Sequence, residues 1–141
     1  MTKKIVFLLG SANLSGGTYV ILQHATFLAE AGFSVSIAMV YMTMDELEIL
    51  KQSEQCWHPA IKTLNFIHID DCSNIEFDIA IFTWWATLLS FEKIKTQTTV
   101  YFVQSIESRF YPPAEAFLKS LAEKTYQLDL PVITEATWIK K

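Results

Sequence analysis

Short, nearly continuous apolar runs recur along this chain with helix-patterned stretches between them, and that alternation limits its fold more than any other feature. Lys4-Ile5-Val6-Phe7-Leu8-Leu9 is the clearest run, closed by Gly10. A strand covered on both faces has no need of polar alternation, so such a run fits the interior of a parallel sheet. Val35 to Tyr41, Leu64 to Ile69, Phe77 to Phe82, Thr99 to Val103 and Pro131 to Ile133 have the same character.

Between the first two runs, Thr18 to Ala31 places Ile21, Ala25 and Leu28 at helical spacing, with Ala31 and Phe33 one turn on. Gly32 stands where a helix takes its left-handed terminal residue. Thr43-Met44-Asp45-Glu46 is a capping box ahead of a short helix to about Gln52. Trp85 to Phe91 is predicted as a short helix, and Pro112-Pro113 suits the first turn of another whose apolar face is Ala114, Phe117, Leu118 and Leu121. Thr134 to Lys141 resembles the start of a further helix, which suggests a piece of a longer protein.

Parallel strands need crossover connections, usually helical. The expected fold is therefore α/β: one doubly wound, Rossmann-like, mostly parallel sheet of about six strands with helices on both faces, formed by residues 1–141 as a single domain.

Composition narrows the partners. The chain is 51% hydrophobic, which excludes the disordered and low-complexity classes. With 11 Lys and Arg against 15 Asp and Glu, the net charge of −4 supplies no broad field for a nucleic acid. No apolar run approaches the roughly 18 residues of a membrane span, and Gly10 ends the first run too early for a signal peptide. A cytoplasmic chain with no transmembrane segment is expected. Cys56 and Cys72 lack the spacing of a zinc or redox pair and are expected as thiols. His58 and His68 have no metal spacing, His24 shares a helical face with Val20 and Leu28, and Met39, Met42 and Met44 read as gap-fillers.

Ligands of an open parallel sheet collect just beyond the strands' carboxyl ends, where the strand order reverses. Three segments qualify here: Gly10 to Gly17, Thr83-Trp84-Trp85, and Gln104-Ser105-Ile106-Glu107. The first lacks the second glycine of a dinucleotide fingerprint, position 12 being Ala, and the lysine of a P-loop. Gly16, Gly17 and Thr18 at a helix start could still let backbone N–H groups approach a diphosphate; the other reading is a tight turn needing positive φ. Trp84 and Trp85 could stack on a sugar or fill the core. Glu107 could accept a proton or pair with Arg109.

Taken together, several segments resemble the N-terminal domain of a GT-B glycosyltransferase of the family-four-like, group 1 branch. They are Lys4-Ile5-Val6-Phe7 with Gly16-Gly17, Phe77 to Trp85, Tyr101-Phe102-Val103-Gln104 with Glu107, Phe110-Tyr111-Pro112, and Pro131-Val132-Ile133-Thr134. The likeness is to bacterial rhamnosyltransferases that build surface polysaccharides. Where those sequences carry Asp-Tyr-Glu, this chain has Ser105-Ile106-Glu107.

The resemblance implies two Rossmann-like halves around a cleft, this chain being the acceptor-side half and inactive in isolation. A nucleotide-diphosphate sugar and a saccharide acceptor would be the substrates, with no cofactor and no metal. Gly16, Gly17 and Thr18 would approach the donor diphosphate. Trp84, Trp85, Gln104 and Glu107 would line the acceptor side, Glu107 being the catalytic carboxylate. The inner face of the membrane is a compatible working place, and homo-oligomerisation stays open. The competing expectations are a free-standing Rossmann-like nucleotide or metabolite module without catalysis, and a non-catalytic interaction domain.

Overall fold

The computed structural model describes residues 2–12, 16–53, 56–83, 87, 92–103 and 132–134. Six strands form one parallel sheet: β1 (Lys4–Leu9), β2 (Ser34–Met39), β3 (Asn65–His68), β4 (Glu76–Phe82), β5 (Lys95–Val103) and β6 (Val132–Thr134). Their spatial order is β3-β2-β1-β4-β5-β6, the order of a dinucleotide-binding Rossmann sheet. The helices are α1 (Gly16–Glu30), α2 (Met44–Gln52) and the one-turn α3 (Ala60–Thr63), followed by a 3-10 turn over Ile69–Asp71.

Side chains leave a strand on alternate faces, and β1 divides its residues accordingly. Ile5, Phe7 and Leu9 join Ile37, Met39 and Ile81 on one face, covered by Ile21, Leu22 and Ala25 of α1, Leu47 of α2 and Ile61 of α3. Val6 and Leu8 lie on the other with Ala38, Ala80, Phe82 and Tyr101, against Ile69, Cys72 and Ile94. Both faces of β1 are thus dry, which is why its sequence needs no alternation. No helix among the described residues is long and apolar enough to cross a membrane.

The local signals act as their chemistry requires. Thr43 Oγ1 accepts from the Glu46 amide at 3.1 Å while Glu46 Oε1 accepts from the Thr43 amide at 3.4 Å, closing the capping box at the start of α2. At the end of α1, the Phe33 amide donates to Leu28 and the Gly32 amide to Ala29, both at 3.1 Å, a Schellman arrangement. Gly32 has φ +105°, and a Cβ built there would meet nothing within 4 Å. Backbone conformation, not space, demands glycine there. Gly32→Ala is expected to lower stability by about 1–2 kcal/mol, read as a shifted urea midpoint at constant slope.

Several boundaries differ from the sequence expectation. β5 begins at Lys95 rather than Thr99, because Thr96 and Thr98, β-branched though polar, pair with Phe77 and Ile79 of β4. α1 begins at Gly16 rather than Thr18, and β2 stops at Met39 rather than Tyr41. Thr134, expected to open a helix, is the last residue of β6 and pairs with Val103. His24 is exposed, its ring 5.5 Å from that of Phe102, so it marks the edge of α1's packed face. Of the helix expected over 85–91 only Thr87 is described, and it is buried; the helix expected from Pro112-Pro113 lies outside the described residues.

Candidate functional site

The strand order turns at β1, whose neighbours β2 and β4 lead the chain away in opposite directions. Successive carbonyls of a parallel strand point to alternate sides. Leu8 O accordingly accepts from the β4 side, from the Thr83 amide at 3.3 Å, and Leu9 O from the β2 side, from Val40 at 3.0 Å. Alternation would return Gly10 O to the β4 side. It instead accepts from Tyr41 at 2.9 Å, on the β2 side. The Gly10 carbonyl is therefore turned towards β2 rather than β4 just beyond β1, at the reversal point.

Thr83 was expected among the residues facing this edge. It is buried, and its Oγ1 donates to Leu8 O at 2.7 Å, so its hydroxyl closes the sheet and is turned away from any ligand. Trp84, Trp85, Gln104 and Glu107 lie outside the described residues. What the structure gives for them is the end of the preceding strand: β4 finishes at Phe82 and β5 at Val103, neighbours at the same carboxyl edge as β1.

Gly16, Gly17 and Thr18 form the first turn of α1. A right-handed helix settles one alternative: the two glycines are not there for positive φ, which among the described residues occurs only at Gly32. The first turn of α1 carries no Asp or Glu to compete with an anionic ligand. Ala12, at the place of a fingerprint's second glycine, is fully buried, so no phosphate reaches the backbone there.

The structure brings to this loop residues that the sequence did not mark. Met42, expected only to fill space, accepts the Ala12 amide on its Sδ at 3.4 Å. Trp57 Nε1 donates to Ala12 O at 3.0 Å. Tyr19, Trp57 and His58 pack ring to ring, with centroids 6.5 Å apart for Tyr19 and Trp57, 5.5 Å for Tyr19 and His58 and 5.6 Å for Trp57 and His58. His58 is buried; its Nδ1 accepts from the Ala60 amide at 3.0 Å, which leaves Nε2 to donate to Gln23 Oε1 at 3.3 Å.

Both cysteines are free thiols. Burial, with Asp71 and Asp70 adding to it, pushes the Cys72 thiol up to about 11 from 9.0, so it is neither a ready nucleophile nor a ready metal ligand. Because the folded value lies above the unfolded one, the unfolded chain loses its proton first. Cys72 therefore stabilises the fold fully below about pH 9, and that contribution is lost as pH rises towards about 11. At pH 8, iodoacetamide is expected to label the half-buried Cys56 in the native chain and Cys72 only after unfolding, as peptide mapping would show. Asp70, beyond β3, accepts from Lys93 Nζ at 3.0 Å, and that hydrogen bond and charge hold its carboxyl below the usual carboxylate range. The pair is exposed and away from the β1–β4 edge.

Neither protein-family models nor curated proteins give a match to this sequence.

Proposed function

We propose that this chain is the acceptor-side, N-terminal half of a GT-B sugar transferase, moving a sugar, with rhamnose the first candidate, from a nucleoside-diphosphate donor to a saccharide acceptor. One observation carries the proposal: a helix opened by Gly16-Gly17 starts beside the reversal point of a β3-β2-β1-β4-β5-β6 sheet. Sheets of this order bind phosphate-bearing ligands there. The sequence resemblance supplies the transferase, and the fold is the one that resemblance requires.

In this scheme the bond from the sugar's anomeric carbon to the donor diphosphate breaks, and a bond to an acceptor hydroxyl oxygen forms. Negative charge grows on the departing diphosphate, where the start of α1 offers oriented backbone dipoles. Glu107 takes the acceptor's proton. Trp84, Trp85 and Gln104 hold the acceptor; in sequence they follow β4 and β5, whose described ends share one edge of the sheet.

A transfer assay with a panel of nucleotide-sugars and saccharide acceptors tests this on the protein that carries the chain. Glu107→Gln is expected to lower transfer about 100-fold or more, the usual worth of a general base. A wild-type rate in that variant would remove Glu107 from the mechanism. Nucleoside-diphosphate binding without transfer from any donor would leave a binding module in place of a transferase.

A further inference from the structure

We infer that Trp57 is a positioning residue that ties Ala12, just beyond β1, to the first turns of α1. Its side chain reaches both partners. At the near end, Nε1, the only polar group of the indole, donates to Ala12 O at 3.0 Å across 45 residues of sequence. At the far end, its ring packs against Tyr19, the fourth residue of α1.

Tyr19 belongs to the same helix as Gly16 and Gly17. A group that holds Ala12 and Tyr19 together therefore holds the start of α1 against the chain leaving β1. The indole is itself held. His58 packs edge-on against Trp57 and Tyr19, and it is clamped between the Ala60 amide and Gln23 Oε1. Gln23 Nε2 in turn donates to Tyr19 Oη at 3.1 Å. Met42 Sδ takes the Ala12 amide, so both polar groups of this buried residue are engaged by side chains from beyond β2.

The consequence for ligand binding rests on the diphosphate role proposed above; the clasp itself does not. Trp57→Phe keeps the aromatic packing and deletes the donor. Losing one such hydrogen bond is expected to speed exchange of the Ala12 amide, and to weaken UDP binding by calorimetry, about 5-fold each. Ile37→Val, a core change in β2 that leaves both hydrogen bonds of Ala12 in place, controls for a general loss of stability and is expected to leave both readouts unchanged.

Met42→Leu, which keeps the volume and removes the sulfur acceptor, is expected to speed Ala12 exchange as well, and it serves if Trp57→Phe does not fold. In the wild-type chain, the Trp57 indole proton is expected to be protected from exchange. Free exchange of that proton, unchanged Ala12 exchange in Trp57→Phe, or an equal effect of Ile37→Val would each overturn the proposal. Faster Ala12 exchange in Trp57→Phe, together with no UDP binding by the wild type, would uphold the clasp and overturn the diphosphate role.

Discussion

Phe7→Ala lowers the free energy of unfolding by about 3–5 kcal/mol, a large share of the roughly 5–15 kcal/mol that holds a domain of this kind together. Phe7 sits mid-strand in β1, the strand flanked by β2 and β4, paired with Ile37 on one side and Ile81 on the other. Only 1% of it is exposed, and it lies in the cluster that α1, α2 and α3 cover. Truncation removes the ring's transfer free energy and leaves a cavity between sheet and helices that rigid neighbours fill only in part. Phe27 provides the contrast: on the outer side of α1 it is 69% exposed, and Phe27→Ala should stay within about 0.5 kcal/mol of wild type. Urea midpoints of the two variants, compared at a common slope, check both values.

Gly17→Val is expected to weaken nucleoside-diphosphate binding by about 10- to 150-fold, corresponding to the loss of one hydrogen bond to a charged group, about 1.5–3 kcal/mol. Gly17 is exposed in the first turn of α1. In the proposed site a branched side chain there obstructs approach of an anion to the backbone. Calorimetric titration of wild type and variant with UDP and GDP, alongside their unfolding curves, separates loss of binding from loss of fold. A variant of wild-type stability with wild-type affinity would remove Gly17 from the diphosphate site.

What the sequence made legible was chiefly what is local. Lys4–Leu9 reads as an interior strand because both of its faces are dry, and Gly32 and the Thr43–Glu46 box act within a few residues of themselves. β5 was half-hidden because Thr96 and Thr98 belong to the strand through their β4 partners, not through apolarity. Thr83 looked like a site residue by position, and its inward hydrogen bond is fixed by β1 chain, 75 residues away in sequence. Trp57 and Met42 were illegible as loop-holding residues for the same reason: their contacts with Ala12 span 45 and 30 residues, and no short motif records such a meeting. At the glycines, periodicity left two conformations open, and the helical start of α1 at Gly16 chose between them.

Recognition of an anion at the start of α1 is tested most directly by an amide-resolved NMR titration, with UDP, of the protein that carries the chain. The predicted result is a saturable set of shifts largest at Gly16, Gly17 and Thr18 and much reduced in Gly17→Val. Shifts centred instead at the opposite edge of the sheet, around Lys4, Ser34 and Glu76 where β1, β2 and β4 begin, or no shifts at millimolar nucleotide, would contradict it.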